Sequence, residues 1–196
     1  MQHTRPLPGH PELSVREYHG CTEYRVENWR IARDGSGRVL RFYGWSWLDA
    51  AVPLLIAMLW QTITTNRVYS AVAVLLVALY ARSRSGQVLW ESIIVIPSFG
   101  LQFETHRGFS GLPLFVSRRF IPFIRLQDVV INEGLRGWNV RYYLVAIEQS
   151  PEGVTSLHVP YENILPYFPV LLEVYQDIQE TVFGRPLDMS TDQQPT

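Results

Sequence analysis

The sequence contains no lysine: each of its seventeen basic residues is arginine. That absence excludes Schiff-base lysine chemistry and the lysine of a phosphate-binding P-loop. Cysteine is almost as scarce, and the single Cys21 excludes an intrachain disulfide and any zinc site built on several cysteines. No Asn-x-Ser/Thr acceptor occurs, because Asn28, Asn66, Asn132, Asn139 and Asn163 all lack a hydroxyl residue two positions on. Both absences suit globular parts that face the cytosol. Met1 to Pro11 hold no apolar run, so no cleavable leader is expected. The five histidines (His3, His10, His19, His106 and His158) have no metal-ligand spacing, and no G-x-S-x-G elbow, D-x-D or carboxylate pair on one element is present. Gly35 and Gly37 lack a third glycine and a following amphipathic helix, so they read as a turn and not as a phosphate loop. No catalytic residue, cofactor or metal is expected.

What is present is unevenly spread. Hydrophobic residues make up 47% of the 196, and the stretch from Trp45 to Ala81 is far more apolar than its flanks. Trp45 to Ile63 carries one charge, Asp49; after Thr64-Thr65-Asn66-Arg67 comes Val68 to Ala81, closed by Arg82 and Arg84. A helix rises about 1.5 Å per residue, so the first segment is long enough for an apolar layer of roughly 30 Å. The second, about 21 Å long, needs help from its flanks or a thinned bilayer. Neither has a polar face, and Trp45, Trp47, Trp60, Tyr69 and Tyr80 sit at the segment ends, where interfacial aromatics belong. The competing reading is a buried core hairpin of a soluble protein. Five arginines (Arg25, Arg30, Arg33, Arg38 and Arg41) closely precede the hairpin and two follow it, against Arg67 alone in the turn. The positive-inside bias then places both termini in the cytosol, for a spanning or a re-entrant hairpin alike.

Short strands are expected before the hairpin, at Tyr24–Val26, Trp29–Ile31 and Val39–Tyr43, with Asp34-Gly35-Ser36-Gly37 as a turn. After it the period switches to two. Leu89–Ile96 and Leu101–Thr105 form a hairpin around Pro97-Ser98-Phe99-Gly100, Gly108 and Gly111 mark a loop, and further strands fall at 114–118, 127–132, 138–147 and 156–159. Phe168, Leu171, Leu172, Tyr175, Ile178 and Val182 fall at helical spacing, with Asn163 as candidate N-cap and Gly184 and Pro186 as the stop. The fold class is therefore α+β: a membrane helical hairpin plus a PH-like antiparallel β domain closed by a C-terminal helix. Its expected parts are an N-terminal cytosolic segment of short strands (1–44), the hairpin (45–84), the PH-like domain (85–185) and a disordered tail (186–196). Residues 1–12 also read as loose.

Arg118 and Arg119, with Arg125, are either solvated or in contact with an anionic headgroup or partner. Asp128, Asn132 and Glu133 sit at strand ends, where they either shape the turn from Gly134 to Gly137 or offer a polar edge to a partner.

At Asp128-Val-Val-Ile-Asn-Glu133, followed by Arg141-Tyr-Tyr-Leu144, the chain resembles the PIG-H family, a component of phosphatidylinositol N-acetylglucosaminyltransferase. Leu13–Tyr18 with Cys21–Tyr24, the two apolar segments, and the helix carrying Leu172–Tyr175 agree with that family. The resemblance implies a non-catalytic subunit of the endoplasmic-reticulum membrane complex that begins glycosylphosphatidylinositol (GPI) anchor synthesis, with both ends cytosolic. It would bind the catalytic subunit, which uses UDP-N-acetylglucosamine, and other membrane subunits. Retaining glycosyltransferases of that kind carry two glutamates eight positions apart, and no two glutamates here have that spacing. A second reading is a stand-alone membrane-anchored PH-like module that binds lipid headgroups or protein, and a third is an enzyme acting on membrane lipid.

Overall fold

The computed structural model describes residues 2–7, 9–31, 39–41, 47–109 and 112–184. Packing divides the chain into two units. One comprises residues 1–27, 90–105 and 117–196; the other comprises residues 28–89 and 106–116.

In chain order the strands are β1 (Gln2–Thr4), β2 (Leu13–Tyr18), β3 (Cys21–Glu27), β4 (Trp29–Ile31) and β5 (Val39–Arg41). Three helices follow, α1 (Trp47–Met58), α2 (Trp60–Thr65) and α3 (Arg67–Ser85). Then come β6 (Gln87–Ile96), β7 (Gly100–Phe109), β8 (Leu112–Pro122), β9 (Leu126–Arg136), β10 (Asn139–Gln149) and β11 (Thr155–His158). Helix α4 (Phe168–Ile178) closes the series and runs into a π-helical turn, Gln179–Phe183. The fold is α+β: a sheet in the order β1-β2-β3-β6-β7-β8, an antiparallel sheet in the order β11-β10-β9, and a C-terminal helix.

Alternation builds the core of the first unit. Leu13 lies across from Val26, Val15 across from Tyr24, and Tyr24 across from Ile93, and all of them are buried. From the second sheet Val129, Leu144 and Ala146 join them, and α4 adds Val170, Leu171, Val174 and Ile178. Burying each of these valine, leucine and isoleucine side chains is worth about 1.5–3 kcal/mol.

Residues 2–4 are not loose: Gln2, His3 and Thr4 pair with Glu17, Arg16 and Val15. Gly108 lies within β7 and not in a loop; a Cβ there would collide with the Leu112 carbonyl, so close backbone approach explains the glycine. Gly134 lies within β9, where the Tyr143 ring covers it, and the turn reduces to Gly137 and Trp138, with Gly137 at φ 63°. The helix starts at Phe168, with Tyr167 as N-cap and Pro169 in its first turn, and not at Asn163. Its buried stripe is also rotated. Leu171 and Ile178 are buried as expected, but Val170 and Val174 complete the stripe while Leu172, Tyr175 and Val182 are only partly covered and Phe168 is exposed. The expected turn at Asp34 to Gly37 and the tail beyond Arg185 lie outside the described residues.

In the second unit β4 and β5 pair antiparallel. The first apolar segment is interrupted. Leu59 separates α1 from α2, and Thr64 and Thr65 hydroxyls donate to the Trp60 and Gln61 carbonyls, a back-bonding pattern that favours bends. Asn66 then caps α3, its Oδ1 accepting from the Val68 N–H at 2.9 Å. No helix among the described residues is long and apolar enough to cross a membrane, so the expected spanning helices are not found.

Candidate functional site

A buried carboxylate fixes the geometry around the end of β11. Glu91, in β6, is 2% exposed and accepts from Asn163 Nδ2 at 2.7 Å, Thr105 Oγ1 at 3.1 Å, and the backbone N–H groups of Ile164 (3.1 Å) and Asn163 (3.2 Å). Burial pushes its pKa up, and the bonds from Asn163, Ile164 and Thr105 oppose that shift. The residue expected to cap the helix thus ties the chain before it to the sheet. A single charged residue inside the largely apolar β6 gives no sequence signal of such a partner set.

Arg118 and Arg119 line an open cleft of about 500 Å³ with Phe103, Thr105, His158 and Glu162. Each guanidinium is held by a neighbour. Arg118 Nε donates to Glu104 Oε1 at 2.7 Å, and Arg119 Nη1 lies 2.7 Å from His158 Nδ1. A guanidinium has only donors, so Nδ1 is the accepting nitrogen and Nε2 carries the proton given to Glu148 Oε2 at 2.8 Å. Arg125 does not line this cleft. It reaches the same chain of contacts from the far side, with Nη1 3.8 Å from Glu148 Oε1. Arg118 is therefore oriented by Glu104, and Arg119 by His158 with Glu148 behind it.

Asn132 and Glu133 line a second open cleft, of about 560 Å³, with Ile131, Tyr142, Phe168 and Tyr175. Both are exposed and lie inside β9, opposite Tyr143 and Tyr142, rather than at a strand end. Asn132 Oδ1 accepts from the Glu133 N–H at 2.8 Å. Asp128 is elsewhere. Its Oδ1 accepts from the Val129 N–H at 2.8 Å and from Nε2 of the buried Gln179 at 3.2 Å, which also donates to the Val129 carbonyl. The structure thus brings Asn132 and Glu133 to one cleft and gives Asp128 to the joint between β9 and the end of α4.

In the second unit Asp49 opens α1 and Arg84 closes α3, joined at 2.8 Å with the Asp49 side chain 4% exposed, while the Tyr80 hydroxyl donates to the other Asp49 oxygen. Each charge sits at the helix end its sign favours. Among the described residues no group of three His, Cys, Asp or Glu side chains could hold a metal ion.

The described residues thus form an α+β chain with sheets, a C-terminal helix, two open clefts and an apolar helical segment. Residues 92–168 match the family model described as PIG-H: GPI-GlcNAc transferase complex, PIG-H component. The resemblance to that family read from the sequence is borne out over this stretch, which carries Arg118, Arg119, Asn132, Glu133 and His158. The chain is 38% identical over 88 residues to phosphatidylinositol N-acetylglucosaminyltransferase subunit gpi15 of Schizosaccharomyces pombe, covering 44% of this chain and 51% of that protein. It is 30% identical over 93 residues to the H component of phosphatidylinositol N-acetylglucosaminyltransferase of Homo sapiens, covering 46% and 47%. The chain thus matches about half the length of these relatives. No solved structure matches.

Proposed function

We propose that this chain is a non-catalytic subunit of the complex that transfers N-acetylglucosamine from UDP-N-acetylglucosamine to phosphatidylinositol, the first step of GPI-anchor synthesis. It binds and positions the catalytic subunit at the endoplasmic-reticulum membrane, with both termini cytosolic. The observation that carries this reading is the family match over residues 92–168, the segment that supplies most of both clefts. Glu133 and Asn132 are the proposed partner contacts, because they are exposed in an open cleft and no core interaction occupies them. Affinity purification of the full chain in mild detergent should recover a glycosyltransferase subunit, and Glu133→Ala should recover less. Capture of no glycosyltransferase by the parent chain would end the proposal.

Residues 45–84 are the proposed membrane element, in re-entrant form. The distorted helical geometry at Leu59 (φ −94°, ψ 9°) and the exposed aliphatic faces of α1 and α3 support it. Glycosylation acceptors placed after Thr65, before Trp45 and after Arg84 should all stay unmodified; modification after Thr65 alone would establish a full crossing. The fold is proposed to be PH-like, four strands (β3, β6, β7 and β8) and three (β9, β10 and β11) being followed by a helix.

The second reading, a stand-alone headgroup-binding module, draws on Arg118 and Arg119 lining one cleft, with Arg125 linked to it through Glu148. Binding of phosphoinositide vesicles that is lost in Arg118→Ala and Arg119→Ala, with no partner captured, would favour it.

A further inference from the structure

The β9–β10 hairpin extends apolar surface past the end of its own core. On β9 the residues at 129 and 131 face inward, opposite Ala146 and Leu144, and Val129, Ala146 and Leu144 are buried. The same face continues outward through Glu133 opposite Tyr142 to Leu135 opposite Val140. Tyr142 meets the Phe168 ring at the margin of the core, 4.9 Å between centroids. Beyond that margin the cover stops: Leu135 is 83% exposed and Val140 56%. At the apex Trp138 is fully exposed, beside Gly137, whose φ of 63° already meets the demand of a tight turn. An indole there contributes nothing to the turn or to the core.

Beyond Glu133, which shares the face of Leu135, the charge on the hairpin has one sign. From Gly134 to Ile147 the chain carries Arg136 and Arg141 and no acid. Arg136 stands opposite Asn139, and Arg141 opposite Gly134, so both cations flank the apex within two positions of the Leu135–Val140 pair. Indole, leucine and valine on a narrow projection, with arginine at adjoining positions of both strands, match the layered chemistry of a bilayer surface. Indole favours the headgroup level, aliphatic groups the acyl boundary, and arginine the anionic headgroups. A projecting two-residue turn suits a deformable phase better than a flat protein interface, where anchors sit in the centre of a broad patch.

We propose that the apex of this hairpin, with Leu135, Trp138 and Val140, inserts into the surface of a bilayer containing anionic lipid and docks the sheet domain on it. The proposal rests on the reading of the chain as a membrane protein, and the test separates the two. In a Cys21→Ser background, a single cysteine replaces Trp138 or, as control, Leu76, and carries an environment-sensitive dye on the full chain in proteoliposomes. The Trp138→Cys label should shift to the blue and be quenched by lipid-borne spin labels when the vesicles hold anionic lipid, and Arg136→Glu with Arg141→Glu should reverse both effects. A label at 138 that iodide quenches freely, while the label at 76 reports lipid, overturns the docking and leaves the membrane reading intact. Water exposure at both positions overturns the two together. A shift equal in neutral and anionic vesicles, or one that needs an added soluble protein, also overturns the proposal.

Discussion

Glu91 concentrates four hydrogen bonds on one carboxylate, so shape and charge can be separated by substitution. Glu91→Gln keeps the shape but presents two donors where only acceptors fit, and Glu91→Ala leaves Asn163, Thr105 and two backbone N–H groups without their acceptor. A buried polar group stripped of its partner costs about 1–3 kcal/mol, so Glu91→Ala should lower the melting temperature by at least several degrees, with Glu91→Gln intermediate. Thermal melting of the full chain in detergent checks the order. Asp177 behaves differently. Burial first, then the charges of Glu173, Glu180 and Glu17, raise its pKa from 3.8 to about 6. An acid whose pKa is raised by folding holds its proton longer in the folded state, so stability falls as pH climbs from about 3.8 through about 6. Asp177→Asn should therefore melt higher than the parent at about pH 8 and coincide with it near pH 4. The gain should be on the order of 1 kcal/mol, because a half-exposed charge is screened. A parent that gains no stability on mild acidification relative to Asp177→Asn would contradict the assignment.

At the scale of the element, α4 has a stripe that spacing located to within about one position. The sequence places Leu171 and Ile178 inward correctly, but spacing alone does not show that Val170 and Val174 complete the buried stripe, which the packing of the helix on the sheets decides. Leu171→Ala should cost about 2–5 kcal/mol and Val174→Ala somewhat less, while the exposed Glu180→Ala should stay within about 0.5 kcal/mol. Cellular abundance and melting should follow that order. The hairpin of α1 and α3 offers a second case. Removing one partner of a buried ion pair costs about 3–5 kcal/mol, so Asp49→Ala should destabilise the α1–α3 hairpin strongly. Asp49→Asn, which keeps one acceptor oxygen and the side-chain shape but loses the charge, should be milder. Protease sensitivity of residues 47–85 in detergent would report both.

For the whole molecule, the separate positions of Asp128 and Glu133 allow folding to be distinguished from assembly. Asp128→Ala removes an acceptor from the buried Gln179 and should lower stability by about 1 kcal/mol; its co-purification should weaken only in proportion. Glu133→Ala should melt like the parent and yet recover less partner, since truncating a hydrogen-bonded charge at an interface costs about 2–5 kcal/mol. If the two variants behave alike in both assays, the cleft at Asn132 and Glu133 is not the contact.

The sequence by itself determined the features that arise from local periodicity: alternation in β7, the turn between β6 and β7, the amphipathic C-terminal segment, the apolar stretch, and the family resemblance over the sheet segment. Each is written in neighbours two to four positions apart, where side-chain direction follows from backbone geometry. The tertiary structure alone decided the pairing of Gln2–Thr4 with β2, the meeting of Glu91 with Asn163 across 72 positions, the contact of Asp128 with Gln179, and the alignment of Glu148 and His158 behind Arg119. It also decided that Leu59 interrupts the first apolar segment. These depend on which distant groups must satisfy one another once water is excluded, and no short window of sequence carries that information.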